Sequence, residues 1–126
     1  MRRPGSIAEV AEWSRTAEEF SYNFADFLHE FTARPDGSML SERPRLLRDL
    51  FDTGDVCDAY LAAAAATLAP QAGNRRPPWT EEGDRYLRYP WFASPGPAMR
   101  ACLLLESPPR FRERNLFVTA NALSVA

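Results

Sequence analysis

Three groups of side chains in this sequence have types and spacings that could do chemistry. His29, the only histidine, follows Asp26 by three positions. A carboxylate that orients an imidazole is how a general base is built. No serine, cysteine or second histidine stands at helical spacing to complete a nucleophilic pair, so His29 reads as a residue hydrogen-bonded at a helix edge. The second group is acidic: Asp49, Asp52, Asp55 and Asp58 recur every third position, and Glu9 with Glu12 forms another pair. Carboxylates three apart on a helix can converge on magnesium, with waters completing its octahedron. Gly54 breaks that series, and acids at helix starts also complement the macrodipole. Zinc is poorly served, because two distant cysteines and one histidine cannot close a tetrahedral site. Neither GxxxxGK[ST] nor GxGxxG occurs, so phosphate-cradling loops are absent.

The third group lies between Trp79 and Val118, where aromatic residues alternate with prolines and arginines in the order PPW, YPWF, ESPPRFRERNLFV. Aromatic rings supply large apolar area, and arginine offers a rigid fork of donors that stacks on rings and grips carboxylates. Tryptophan, tyrosine and arginine are also the usual anchors of protein interfaces. Trp91, Phe92, Arg110, Phe111, Arg112 and Arg114 are therefore the candidate partner-binding residues. The competing reading packs the same aromatics onto the helices, with the arginines bonding helix ends and Glu106. As a nucleic-acid patch the cluster is thin.

Helices must position these groups. Ser6-Ile7-Ala8-Glu9 and Thr16-Ala17-Glu18-Glu19 are capping boxes. The first predicts a helix to about Ser14. The second opens a helix with Phe20, Phe24, Phe27, Leu28 and Phe31 in one apolar stripe, stopped near Ala33 by Pro35. Ser41 is expected to cap a short helix that tolerates Pro44 in its first turn and carries Leu46, Leu47, Leu50 and Phe51. From Asp55 the run VCDAYLAAAAATLA predicts another helix, with Val56, Tyr60, Ala63, Ala64 and Leu68 on one side and an alanine run of high helicity. Thr80 is expected to cap a helix through Leu87. Pro97 suits the start of one carrying Met99, Cys102, Leu103 and Leu104. Arg110 to Asn115 reads as one turn, Leu116 to Val118 as extended, and Thr119 as a final cap. No alternating pattern is long enough for a sheet. The expected architecture is all-α, an irregular single-domain bundle of about five to seven helices with a Pro/aromatic-rich C-terminal segment. Residues 1–69 hold the N-terminal helices, 70–79 an exposed proline-stiffened linker, and 80–126 the aromatic and arginine-rich segment.

Composition narrows the function classes. A chain of 126 residues with 45% hydrophobic and 25% charged residues suits one globular domain. All 15 cationic residues are arginine and the net charge is −2. Acidic residues outnumber arginines through Tyr60, and the balance reverses beyond Leu61, which argues against a dedicated nucleic-acid binder. No apolar run approaches the ~20 residues that cross a bilayer. The start MRRPGSIAEV lacks the apolar core of a signal peptide. A cytoplasmic location is the expectation, and Cys57 and Cys102 read as free thiols.

The phrases DAYLAAAAATLA, PPW, YPWF and ESPPRFRERNLFV together resemble a set of small bacterial proteins associated with antitoxin-like partners of nucleotidyltransferase-type proteins. The resemblance covers Asp58 to Val118 best, and FADFLHEF (Phe24 to Phe31) more loosely. It implies a non-catalytic module, without cofactor, that binds and occludes a protein encoded beside it, either through the acidic face around Glu18, Glu19, Asp26 and Glu30 or through Trp91, Phe92 and Arg112. Some similar C-terminal segments follow a helix-turn-helix domain, whereas this chain shows no basic recognition helix. Two alternatives remain open. A DNA-binding regulator would use Arg110, Arg112 and Arg114. A magnesium-dependent nucleotide hydrolase would use Asp55 and Asp58, whose spacing resembles the acidic pairs of all-helical nucleotide pyrophosphatases.

Overall fold

Side-chain caps start the first two helices. The Ser6 hydroxyl accepts the Glu9 amide at 3.2 Å, and the Glu9 carboxylate accepts the Gly5 amide at 2.8 Å, a capping box that reaches one residue further back than usual. Helix α1 (Ile7–Glu12) follows and ends short of Ser14, whose hydroxyl instead donates to the Val10 carbonyl at 2.6 Å. Thr16 accepts the Glu19 amide at 3.1 Å and opens α2 (Ala17–Ala33), with Phe20, Phe24, Phe27, Leu28 and Phe31 all buried. The helix stops where Arg34 precedes Pro35, as that dipeptide requires. The computed structural model describes residues 3–94 and 96–124.

The expected helix after Ser41 does not form. A single turn, α3 (Ser38–Ser41), comes earlier, and residues 42–53 run as extended chain and turns. The reason lies outside the segment: the Leu47 and Arg48 amides, which a helix would bond internally, donate to the Asp58 carboxylate at 2.7 and 3.1 Å. Helix α4 (Gly54–Leu68) then crosses the middle of the molecule, and residues 69–72 tighten into a 3-10 turn. One apolar side was expected of α4. Instead Cys57, Asp58, Ala59, Leu61 to Ala66 and Leu68 are all buried, on every face. Alanine makes this possible, since its small side chain lets neighbours approach from all sides.

Gly54 shows how tight the entry to α4 is. A Cβ there would collide with the Leu47 carbonyl and lie 2.8 Å from Arg48 Cα, both backbone and unable to swing aside. Gly54→Ala is expected to cost about 2 kcal/mol through overpacking, read as a lower urea midpoint with unchanged slope.

Beyond Gly73, which takes a left-handed φ of 74°, the chain wraps back over α4. The segment around Trp79 is fixed to the body: Pro77 and Trp79 are buried, and the indole N–H donates to the Leu40 carbonyl at 2.9 Å. In place of the helix expected from Thr80 to Leu87 there are two 3-10 turns, Pro78–Glu81 and Gly83–Arg85. Strand β1 (Trp91–Phe92), α5 (Pro97–Glu106), α6 (Pro109–Arg112) and β2 (Leu116–Phe117) complete the order. The strands pair in parallel, Trp91 with Leu116 and Phe92 with Phe117. Two residues each is too little to leave an alternating signature. The chain is thus mostly helical, with six α-helices and one two-stranded sheet among the described residues, which corrects a purely all-α reading. None of the described helices is long and apolar enough to cross a membrane.

Candidate functional site

The aspartate series resolves into unrelated roles. Asp49 and Asp52 are exposed, and Asp55 accepts the Val56 amide at 2.9 Å. Asp58 is fully buried. Besides the two amides it faces Arg48 Nε at 3.6 Å and Arg85 Nη1 at 3.8 Å. Burial pushes its carboxyl up from the ordinary aspartate value, while the Leu47 amide, Arg85, Arg48 and the Arg48 amide pull it back down. Arg85 is itself buried, donates to the Pro44 carbonyl at 2.6 Å and lies over the Trp79 ring at 5.0 Å. This network ties the 42–48 segment and the 3-10 turns to α4. A metal competing for Asp58 would have to displace two guanidinium groups, and among the described residues no three His, Cys, Asp or Glu side chains converge to hold one.

The six candidate contact residues do not form one surface. Arg114 is fully buried, donating to the carbonyls of Arg110 and Thr80 at 2.8 Å each and to Glu113 at 2.8 Å, with its guanidinium 4.6 Å from the Tyr86 ring centre. Phe111 is also fully buried and meets the Tyr60 ring edge-on at 5.0 Å. Both belong to the interior, which corrects their reading as contact residues. Arg110 is half-buried and pairs with Glu113 at 3.2 Å. Arg112 is exposed but donates to the Ser107 carbonyl at 2.7 Å. Phe92 stacks on Phe117 at 4.9 Å beneath the Arg100 guanidinium. Of the six, Trp91 lines an open cavity.

That cavity is a cleft of about 540 Å³ between α2, the first half of α4 and the C-terminal segment. Phe20, Phe24 and Leu28 form one wall, Val56, Cys57 and Tyr60 the floor, and Trp91 and Val118 the far side. The α2 stripe is wide enough to contribute to both core and cleft, and Tyr60 joins them, its ring edge-on to Phe24 at 5.2 Å and to Phe20 at 6.3 Å. Burial pushes the Tyr60 hydroxyl up to about 12 and the Cys57 thiol, beside Asp58 and Asp55, also up to about 12. A thiol so raised stays protonated at neutral pH and is a poor nucleophile. His29 is exposed on α2 and is not among the lining residues. The cleft can therefore enclose an apolar group and offer it the Tyr60 hydroxyl, which bonds no other described residue.

The two thiols provide a direct check of this environment. Cys102 is exposed on α5, whereas Cys57 is buried. Thiol labelling of the native protein at pH 8 is expected to modify Cys102 quickly and Cys57 at least about 100-fold more slowly, with the second equivalent released by denaturant.

The acidic face is only partly free: Glu19 pairs with Arg15 and Glu30 with Arg3, each at 3.2 Å, while Glu18 is exposed and Asp26 half-buried without an ion pair among the described residues. No family model matches this chain, and no match to it was found among curated proteins or solved structures. The cleft and the arginine network are the features that sequence reasoning missed. A signal for the network was present in Asp58, a charged residue inside an otherwise apolar helix run, which calls for a buried partner.

Proposed function

We propose that this chain is a non-catalytic protein-binding module, antitoxin-like in the sense of the small bacterial proteins it resembles. It acts by seating an apolar segment of a partner in the α2–α4 cleft. The observation that carries this reading is the cleft itself, with aromatic walls, an apolar floor and a protonated thiol where a catalytic site would need an activated group. Its surroundings add selectivity. Helix α2 carries carboxylates without an ion pair among the described residues at Glu18 and Asp26, α4 an exposed one at Asp55, and neither helix an arginine, so a segment flanked by basic residues fits best. Occlusion of an electropositive cleft on the partner follows from the same complementarity. The nucleotide-hydrolase alternative gains nothing from Asp58, whose oxygens are engaged. The DNA-binding alternative gains nothing from Arg114, which is interior.

The test is co-purification of the tagged chain with the product of its neighbouring gene, alongside an Ala25→Arg variant. Ala25 is exposed on α2 and lines the cleft, and arginine is a good helix former. A stoichiometric complex that weakens at high salt and is lost in the variant, with unchanged circular dichroism, is the expected result. A complex indifferent to the variant, or no complex at all, would overturn the reading.

A further inference from the structure

Two apolar surfaces remain uncovered on this molecule, and their charges are opposite. The first is α5, which buries Leu103 alone, leaving Leu105 83%, Leu104 49% and Met99 46% exposed. Leu105 falls with Ala98, Ala101 and Cys102 at i, i+3, i+4 and i+7 spacing, an exposed apolar stripe opposite the buried Leu103, with Leu104 at its edge. Arg100 stands on the helix, over the Phe92 ring, and Arg112 at its end, bonded to the Ser107 carbonyl, neither with a carboxylate partner among the described residues. Glu106 is the opposing charge on the helix. The second surface is the α2–α4 cleft, with an aromatic wall, free carboxylates at Glu18 and Asp26, and no arginine on either helix.

We infer that α5 of one copy docks in the α2–α4 cleft of a second copy. The leucines of α5 fill the aromatic cleft, as an amphipathic helix fills a groove, and its flanking arginines meet the carboxylates of α2. The two surfaces are neighbours: α5 lies against Phe92 through Arg100, and the adjacent Trp91 walls the cleft. Two copies face to face can therefore exchange helices reciprocally about a two-fold axis, a closed arrangement that head-to-tail docking would lack. Area favours reciprocity as well. A helix of ten residues spans only ~15 Å, and one such contact falls short of the ~800 Å² per partner of a stable interface, whereas two approach it. This inference goes beyond the partner-binding reading, because both faces belong to this chain.

The experiment is sedimentation velocity on the purified full chain over a range of concentrations, at low and high salt, with no other protein present. The expected result is a dimer at low salt whose dissociation constant rises at least about tenfold at high salt. Leu105→Glu and Ala25→Arg each leave a folded monomer by circular dichroism. Mixing these two variants restores a weaker dimer, since the intact α5 of one meets the intact cleft of the other. A wild-type monomer at every concentration overturns the inference. So does a dimer insensitive to either variant, or a mixture that associates no more than either variant alone at the highest concentration, the outcome if α5 pairs with α5. A partner segment would occupy the same cleft and so displace α5, but because the partner is absent here, failure of the dimer leaves the partner-binding reading standing, and the wild-type dimer is read without reference to the partner complex.

Discussion

Replacing Asp58 with alanine is expected to destabilise the protein by about 3–5 kcal/mol, because it strands two backbone amides and removes one of the two carboxylates that face a buried arginine. For a chain of this size that is a large share of the ~5–15 kcal/mol that holds a domain folded. Asp58 is the single acceptor for the Leu47 and Arg48 amides and faces the fully buried Arg85 at 3.8 Å, where Glu82 at 3.4 Å is the other carboxylate. Without it residues 42–48 have no backbone hydrogen bonds among themselves to fall back on, since the turns begin only where the Leu50 amide donates to the Leu47 carbonyl at 2.9 Å. Arg85→Met should cost less, about 1–3 kcal/mol, because Asp58 would keep both amides and Arg48 while the Pro44 carbonyl loses its donor. Asp58→Asn, which retains one oxygen for the Leu47 amide, should recover part of the loss. The pH dependence has a definite sign. Burial raises the carboxyl in the folded state, so the native protein binds that proton more readily than the unfolded chain. Its contribution is then fully present below the unfolded carboxylate range and declines as pH rises through the folded value. The cost of Asp58→Ala should accordingly persist, and grow slightly, on acidification. Urea unfolding at neutral and mildly acidic pH measures this directly, and a cost that vanishes in acid would mean that the ion pairs, not the amides, hold the segment.

How much of this was legible in the sequence depends on the range of the interaction that decides each element. Helix α2 was readable because its phenylalanine stripe, its Thr16 cap and its Arg34-Pro35 stop are local. Helix α4 was readable as a helix from its alanine run, but its burial on every face was not, because alanine marks neither face as apolar. The segment after Ser41 was misread because the partner of its amides lies ten or eleven residues away, beyond any local pattern. The two 3-10 turns after Pro77 have the same origin: their conformation is held by Arg85 and Arg114, which reach carbonyls far away in sequence. The cleft was invisible for a different reason. Phe20, Phe24 and Tyr60 look like core residues, and whether an aromatic lines a core or a groove depends on what the tertiary structure leaves uncovered. That Trp91 alone of the proposed anchors reaches the cleft follows from the turn at Asn115. There a φ of 64° and a side-chain bond to the Leu87 carbonyl at 2.9 Å bring β2 beside β1.

Arg114→Ala and Arg112→Ala should behave as opposites, although the two residues stand two apart in an arginine-rich run. Arg114 is fully buried and supplies donors to the Thr80 and Arg110 carbonyls, so its truncation leaves both a cavity beside Tyr86 and unpaired carbonyl oxygens. Each effect alone is substantial: removing a large buried side chain typically costs ~2–5 kcal/mol, and a stranded buried acceptor ~1–3 kcal/mol. A combined loss of about 4 kcal/mol is expected, a drop in Tm on the order of 10 °C or more. Arg112 is exposed and its one protein bond is to the Ser107 carbonyl, so its truncation should fall within about 1 kcal/mol of wild type. Thermal unfolding of the two variants side by side reads the difference. If Arg114→Ala proved as stable as Arg112→Ala, the guanidinium could not be seated between α6 and the first 3-10 turn, and the arginine cluster would return as a contact surface. The expected contrast has a practical consequence for binding experiments. A partner complex lost on replacing Arg110, Arg112 and Arg114 together would report unfolding through Arg114, whereas loss through Ala25→Arg reports the cleft.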